Sequence, residues 1–125
     1  LCIKLKFLDK FLDQRRKIAN IYHETIKNEK IKLPFCNKNA NHTYNQFTLR
    51  VKNRNKFIKH LEKNSVPYGI YYSEPIYNYK AFSKDNYKKL PIAESISKEC
   101  ISIPIYPELA LSDVKKISTI LNRYE

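Results

Sequence analysis

The first quarter of the chain carries apolar residues with the spacing of a helix. Between Leu1 and Glu29 they recur at steps of three and four positions, with lysines and acidic residues between them and no glycine or proline. This pattern predicts one long amphipathic helix over residues 1–29. Such a length is unusual in a small domain, so we expect its first half to pack against a surface outside these residues. The predicted apolar stripe consists of Leu5, Leu8, Leu12, Ala19, Tyr22 and Ile26, widened by Phe7, Phe11, Ile18 and Ile21.

Three later segments have the pattern of strands. Residues 46–51 alternate polar and apolar side chains, which is the period of a strand with one buried face. Residues 66–72 are rich in aromatic and branched side chains, and residues 100–104 form a short apolar run that a Pro-x-x-Pro turn closes. The polar, asparagine-containing stretch 30–43 predicts a loop.

Capping residues predict three shorter helices. Asn53 is a suitable N-cap for a helix that ends at Asn64, and Pro91 suits the first position of a helix that ends near Lys98. Ser112 is the predicted N-cap of the last helix. Because the strands and helices each need one face covered, the predicted fold class is α/β, a two-layer α+β sandwich in which helices cover a small three-stranded sheet.

Length and composition narrow the class of protein. The 125 residues are 42% hydrophobic, which suffices for one folded core over residues 30–125, and no apolar run approaches the roughly 20 residues of a membrane span. We therefore expect a soluble, cytoplasmic protein without a membrane partner. Lysine and arginine outnumber the acids by 24 to 12, for a net charge of +12. The basic residues are spread over every segment, so compositional drift toward lysine is the favoured explanation and we do not expect a nucleic-acid partner.

The residues offer little catalytic chemistry. The only glycine is Gly69, within a predicted strand, which excludes the glycine-rich loops of nucleotide-binding folds. The three histidines match no zinc-binding spacing, and each lies in a polar stretch that favours a solvated imidazole. Cys100 opens a predicted core strand, where a buried and inert thiol is expected. We therefore predict no catalytic residue, no metal site and no cofactor-binding residue in this chain.

A group of tyrosines is the strongest candidate for a binding site. Tyr71, Tyr72, Tyr77 and Tyr79 lie at the end of a predicted strand and in the loop after it, where ligand-contacting residues often lie. Contact with a ligand is one interpretation of this group. An aromatic mini-core or a subunit interface is an equally weighted alternative.

Several motifs occur together along nearly the whole chain. They are Leu5-Lys6-Phe7-Leu8-Asp9-Lys10-Phe11 with Arg15, Arg16, Ala19 and Tyr22, then Tyr44-Asn45-Gln46-Phe47-Thr48, Tyr71-Tyr72-Ser73-Glu74-Pro75-Ile76-Tyr77, Pro91-Ile92-Ala93-Glu94 and Ser102-Ile103-Pro104-Ile105-Tyr106-Pro107-Glu108-Leu109. In this order they resemble the C-terminal part of the DegT/DnrJ/StrS family of pyridoxal-phosphate-dependent sugar aminotransferases.

The resemblance implies both a fold and a function. In that family an aspartate-aminotransferase-like large domain of fold type I holds the cofactor, and a C-terminal small domain closes over a nucleotide-linked keto-sugar for polysaccharide or glycoconjugate biosynthesis. It implies an inter-domain helix over residues 1–29 and substrate contacts at Tyr71, Tyr72, Tyr77 and Gln46. Tyrosine phenols suit that role because they stack on a pyranose ring and hydrogen-bond its hydroxyls.

The chain departs from the family pattern at several positions. Tyr77 stands where the family usually has histidine, Ser73 where proline is frequent and Tyr79 where glutamine is common. Ser65 stands where glycine typically ends the helix, so Asn64 or Ser65 has to end it, and Asn64 is expected to tolerate the left-handed conformation.

The resemblance further implies that the chain is one part of an enzyme. Pyridoxal phosphate needs a lysine for its Schiff base, and no lysine here stands in the family's Schiff-base motif. The chain begins at Leu1 and has no methionine, which suggests a fragment, a processed chain or a split reading frame. We expect the cofactor to serve the complete enzyme without binding this chain alone, and a partner polypeptide could carry the large domain. The alternative function is a stand-alone basic interaction or nucleic-acid-binding module that has lost catalysis.

Overall fold

The computed structural model of the protein describes residues 2–82, 88 and 90–125. Within them lie the helices α1 (Cys2–Leu5), α2 (Leu8–Thr25), α3 (Arg54–Lys63), α4 (Pro91–Glu99) and α5 (Leu111–Asn122). The strands β1 (Ile31–Lys32), β2 (Phe47–Val51) and β3 (Cys100–Ile103) form one antiparallel sheet in the order β1-β2-β3. Two short 3-10 helices, Ile76–Asn78 and Lys80–Phe82, lie between α3 and α4.

The central strand β2 has the alternation that the sequence predicts. Its three apolar side chains are buried, whereas Thr48 and Arg50 between them are only partly covered. It pairs with β3 so that Thr48 lies opposite Ser102. Helices α3 and α4 both contact β2, and α2 packs against α5. The predicted fold class, helices covering a small three-stranded sheet, is confirmed.

One predicted strand is wrong, and another segment supplies the third strand. Residues 66–72 meet the sheet at a single bridge, between Gly69 and Ser102. Pro67 has no N–H to donate and therefore cannot extend the ladder away from that bridge. The third strand is β1, which lies within the stretch predicted as a loop. Two residues are too few for an alternating pattern to reveal a strand.

The N-terminal helix is shorter than predicted and is interrupted. A turn at Lys6 and Phe7 separates α1 from α2. Helix α2 ends at Thr25 because Ile26 adopts extended backbone, with φ −81° and ψ 114°. Apolar side chains before the turn have little to pack against, as the 77% exposure of Ile3 shows. The prediction of one uninterrupted helix over residues 1–29 is therefore wrong at both ends.

The capping predictions have mixed outcomes. Asn53 is the N-cap of α3, and its side chain accepts a hydrogen bond from the backbone N–H of Lys56 at 3.2 Å. Pro91 is the first residue of α4, also as predicted. Ser112 is not the N-cap of α5, because the helix begins at Leu111. Its N-cap is Ala110, which has extended backbone and makes no side-chain capping hydrogen bond.

Helix α3 ends through Ser65 and not through Asn64. Ser65 has a φ of 55°, in the left-handed region, whereas Asn64 has a φ of −102°. A side chain in the left-handed conformation costs roughly 1–2 kcal/mol. The helix end therefore retains a conformation that glycine would adopt more easily.

The histidines are half-buried and hydrogen-bonded, not solvated as the sequence suggested. His60 Nε2 donates to the carbonyl oxygen of Ile120 at 2.8 Å. His42 Nδ1 accepts a hydrogen bond from the backbone N–H of Tyr44 at 2.8 Å. His23 Nε2 lies 3.5 Å from the Tyr44 hydroxyl. Burial, and then the proximity of His42, lower the pKa of His23 below its usual 6.5.

The described residues include one buried thiol. Cys100 is buried, as predicted. Over residues 2–82, 88 and 90–125 no helix combines the length and apolarity that crossing a bilayer requires. Within the same residues no three His, Cys, Asp or Glu side chains are close enough together to hold a metal ion.

Candidate functional site

An open groove lies where β2 begins and β3 ends. Its volume is about 400 Å³, which falls within the usual range of small-molecule pockets. Three segments form it: the approach to β2, the segment after α3 and the end of β3. The lining residues are Asn45, Gln46, Pro67, Tyr68, Gly69, Tyr71, Ser102, Ile103, Pro104, Ile105 and Tyr106.

The single glycine of the chain fixes one wall of the groove. Gly69 donates its N–H to the Ser102 carbonyl at 2.9 Å and accepts the Ser102 N–H at 2.7 Å. The Tyr71 ring lies over Gly69 so closely that a Cβ built there would be 2.6 Å from Cε2 of the ring. Only glycine leaves room for the ring in this position.

Three tyrosine side chains line the groove. Tyr68, Tyr71 and Tyr106 are 37%, 49% and 46% exposed. The Tyr68 hydroxyl donates to Oε1 of Glu62 at 2.9 Å, and this hydrogen bond raises the pKa of Tyr68. No residue of the lining carries a charge at neutral pH. The groove can therefore stack against a ring and exchange hydrogen bonds with hydroxyls, and it offers no ion pair to a charged ligand.

Helix α2 holds one end of the groove in place. The guanidinium of Arg15 donates through Nη1 to three backbone carbonyls, those of Tyr44 at 3.2 Å, Asn45 at 3.3 Å and Ile105 at 3.0 Å. From the same helix the Tyr22 hydroxyl donates to the Pro104 carbonyl at 2.9 Å. Burial raises the pKa of Tyr22 above its usual range, so this hydroxyl keeps its proton. The two loops that meet at the groove are thus tied to one helix.

The predicted site residues fall into two places. Gln46 and Tyr71 line the groove together. Tyr72 lies beside it, with its ring edge-on to that of Tyr71 at 5.9 Å between centroids and its carbonyl accepting from the Cys100 thiol at 3.4 Å. Tyr77 lines a separate hollow, where its hydroxyl donates to Oε1 of Glu94 at 3.0 Å. The structure therefore does not bring all four predicted contacts to one site, and their roles stay predictions.

Sequence reasoning missed two aromatic side chains of the groove and the arginine that supports it. Tyr68 and Tyr106 lie outside the cluster of Tyr71, Tyr72, Tyr77 and Tyr79 from which the sequence predicts a site. The Pro104-Ile-Tyr-Pro107 turn was the available signal for Tyr106, since two prolines hold the tyrosine between them on the surface. Nothing local marks Arg15, whose partners lie 29 to 90 positions away.

The groove contains no lysine. Every lysine that the structure describes is exposed, and none of them lines the groove. The lining has no carboxylate either. This set of residues can bind a ligand by stacking and neutral hydrogen bonds, but it has no amine for covalent attachment and no acid for proton transfer.

Comparison with known proteins places this geometry in context. The model of the DegT/DnrJ/EryC1/StrS aminotransferase family matches residues 1–122. A dTDP-3-amino-3,6-dideoxy-alpha-D-galactopyranose transaminase of Aneurinibacillus thermoaerophilus is 36% identical over 124 residues, covering 99% of this chain and 34% of the relative. A UDP-N-acetyl-3-dehydro-alpha-D-glucosamine 3-aminotransferase of Acidithiobacillus ferrooxidans is 28% identical over 111 residues, covering 89% of this chain and 30% of the relative.

Solved structures share the fold. DesV of S. venezuelae, in complex with a ketimine intermediate, superposes with a TM-score of 0.93 at 23% identity, covering 98% of this chain and 34% of that one. A DegT/DnrJ/EryC1/StrS aminotransferase from Brucella abortus superposes with a TM-score of 0.86 at 27% identity, covering 97% of this chain and 33% of that one. The present chain therefore spans about a third of the length of the proteins it matches.

Proposed function

Because the chain belongs to the DegT/DnrJ/EryC1/StrS aminotransferase family, we propose that it is the small domain that closes over the substrate in a sugar aminotransferase. The substrate class is a nucleotide-linked keto-sugar, and the reaction of the complete enzyme is transfer of an amino group to it. Two relatives support this class, since one is named for a dTDP-linked amino sugar and the other for a UDP-linked 3-dehydro-glucosamine.

The uncharged, tyrosine-lined groove carries the proposal. A sugar ring presents C–H faces that stack on phenol rings and hydroxyls that need both donors and acceptors. Tyr71 supplies a ring and a hydroxyl, and the Gln46 amide supplies a donor and an acceptor in the same groove. We assign the sugar to these two residues. Tyr72 and Tyr77, predicted from the family pattern, are secondary candidates because each lies outside the groove lining.

Pyridoxal phosphate, the cofactor of the family, does not fit the residues that line the groove. The coenzyme supplies the electron sink of transamination and needs a lysine beside it. No lysine or carboxylate lines the groove. In our proposal the coenzyme is held by the part of the enzyme that corresponds to the other two-thirds of the relatives, and this chain alone is inactive.

The exposed apolar side chains of α1 and the start of α2 are the proposed contact with that other part. Leu5, Phe7 and Leu8 are each about half-exposed or more, and Ile3 is more exposed still. Apolar side chains grouped on one short segment favour an interaction surface. The proposal is the same whether that other part belongs to the same polypeptide as this chain or to a separate one.

A chimera tests the proposed function. This chain would replace the matching third of the Aneurinibacillus thermoaerophilus transaminase. The alignment of the two includes 99% of this chain. We expect the chimera to aminate a dTDP-linked keto-sugar, and Tyr71→Phe to raise KM about fivefold through loss of one hydrogen bond. Tyr79→Phe is the matched control, because Tyr79 is exposed and lies outside the groove.

Two results would contradict the proposal. One is a chimera that folds and binds pyridoxal phosphate but does not aminate the keto-sugar, whereas a working chimera with a KM that Tyr71→Phe leaves unchanged would contradict the assignment of the sugar to Tyr71. The other comes from the chain alone: a stoichiometric yellow complex with pyridoxal phosphate that survives desalting, together with sugar amination. Tight, salt-sensitive binding of DNA or RNA by the chain would instead support the alternative of a basic nucleic-acid-binding module.

A further inference from the structure

A second concave surface lies at the opposite end of β2 from the groove. It has a volume of about 380 Å³. It is formed by Lys32 of β1 and the two residues before that strand, the end of β2 and the two residues after it, the residue before β3, and Tyr124. Gln46 and Lys52 mark the two ends, and at the rise of an extended strand they are roughly 20 Å apart. We call this surface the basic hollow, and the side chains in its lining that are charged at neutral pH are Glu29, Lys30, Lys32, Arg50, Lys52 and Glu99.

Two cations lie directly opposite each other in the basic hollow. The antiparallel register of β1 and β2 pairs Lys32 with Arg50. Like charges at directly opposite positions destabilise a sheet. The fold therefore places two like charges side by side, and Glu99, which both of them attract, offsets part of their repulsion. An anion between the two side chains would offset more of it.

Only part of that positive charge is neutralised within the chain. Arg50 donates through Nε at 3.1 Å and through Nη2 at 2.9 Å to one oxygen of Glu99. The other oxygen of Glu99 accepts from the Ser95 hydroxyl at 3.1 Å. The hydrogen bond from Arg50 lowers the pKa of Glu99, which keeps this carboxylate ionised. The Nη1 group of Arg50 has no partner among the described residues.

The remaining charges favour an anionic ligand. Four cationic side chains against two carboxylates leave the basic hollow with a net charge of +2. Glu29 makes no hydrogen bond or ion pair with the residues described here, so it neutralises no cation directly. The remaining Nη1 group of Arg50, with lysine ammonium groups around it, can bind phosphate through charge-assisted hydrogen bonds.

We infer that the basic hollow binds a small ligand through a phosphate or diphosphate group. The hollow has room for such a group and part of the molecule that carries it, whereas a nucleic-acid backbone would need an extended track of charge. This site is independent of the proposed function, because none of its residues lines the groove.

Calorimetric titration of the chain with inorganic pyrophosphate tests the inference, and inorganic phosphate serves as the weaker, less charged comparison. We expect one saturable site. Lys32→Gln should weaken pyrophosphate binding by roughly fivefold to tenfold, because a unit charge about 5 Å from the ligand is lost. Glu29→Gln should tighten binding by a similar factor. Lys59→Gln and Glu108→Gln make the same charge changes at exposed positions outside the hollow and should leave the affinity within about twofold.

Lys32→Gln and Glu29→Gln are expected to change the affinity for pyrophosphate in opposite directions, so together they distinguish an effect on binding from an effect on folding. A variant that merely misfolds cannot bind more tightly, so Glu29→Gln keeps the test decisive if Lys32→Gln proves unstable. The inference is overturned if pyrophosphate shows no saturable binding, or if the control variants change its affinity as much as the hollow variants do. It is also overturned if an oligonucleotide binds more tightly than pyrophosphate and loses affinity equally with each lysine removed, which would indicate diffuse charge.

Discussion

The contact between Gly69 and the Tyr71 ring allows the groove to be perturbed without touching the tyrosine itself. In a Gly69→Ala variant the new Cβ would lie 2.6 Å from Cε2 and 2.8 Å from Oη of Tyr71. Two hydrogen bonds to Ser102 hold the Gly69 backbone, so the ring is the part that moves. Ordinary contact begins near 3.4 Å, so the ring has to shift by at least 3.4 − 2.6, or 0.8 Å.

The shift should affect ligand binding much more than stability. Tyr71 is about half-exposed, so the ring can turn toward solvent with little loss of buried surface. Replacing glycine by alanine also restricts the unfolded chain, which stabilises by about 0.4–1 kcal/mol. We therefore expect the free energy of unfolding to change by less than about 1 kcal/mol. Loss of a phenol hydrogen bond and of ring stacking together costs about 1.5–2.5 kcal/mol of binding, or roughly 10- to 70-fold in KM.

A double-mutant cycle in the chimera measures this coupling. KM for the nucleotide-linked sugar would be determined for Gly69→Ala, for Tyr71→Ala and for the two changes combined. Because alanine at position 71 has no ring to displace, Gly69→Ala should then have almost no further effect. If Gly69→Ala raises KM equally with and without the Tyr71 ring, the glycine acts by another route and the assignment of Tyr71 to the groove is refuted.

Three further predictions concern stability. Arg15→Gln removes three hydrogen bonds to backbone carbonyls and should lower the urea-derived free energy of unfolding by about 1.5 kcal/mol, while Arg123→Gln, at an exposed position, should change it little. Ser65→Gly relieves a left-handed φ of 55° and should raise stability by about 1 kcal/mol, seen as a higher Tm; an unchanged or lower Tm would contradict the reasoning. Burial, and secondarily His42, lower the folded-state pKa of His23, so stability should be complete above pH 6.5 and fall as pH drops below it. His23→Gln should abolish its share of that pH slope in urea unfolding, and an unaltered slope would exclude His23 as the cause.

The spacing of apolar residues predicted an element correctly where that element has one face buried in the core and the other face exposed. The alternation of residues 46–51 predicted β2 because one face of that strand is buried and the other is not. The prediction of a strand over residues 66–72 failed, because it was based on aromatic content and only Gly69 pairs with the sheet. The sequence pattern also did not predict β1, which forms because Ile31 and Lys32 pair with the end of β2. Pairing partners distant in sequence decided both cases, and local composition does not contain them.

The candidate site was predictable only where the chain brings its residues together locally. Tyr71 could be proposed from the tyrosine cluster, since it follows a segment anchored to the sheet at Gly69. Tyr77 lies only six positions further on, yet its hydroxyl binds Glu94 in another hollow. Its placement depends on α4, whose position relative to the loop no sequence pattern specifies. The cluster in sequence therefore contains one residue of the groove lining, Tyr71, whereas Tyr72 and Tyr77 lie outside that lining.

The way the chain distributes its charge argues against inferring function from the net charge of +12. The described lysines all lie on the surface and outside the groove, and Arg15 beside the groove directs Nη1 at backbone carbonyls. Cations concentrate instead around Arg50 at the other end of β2. Salt screens charged contacts but not ring stacking. Added salt should therefore weaken pyrophosphate binding in the basic hollow severalfold. The KM of the chimera for the nucleotide-linked sugar should stay nearly constant once the salt dependence of binding the nucleotide moiety alone is subtracted. Equal salt dependence at both places would mean that the bulk charge of the chain, and not these two local arrangements, determines what it binds.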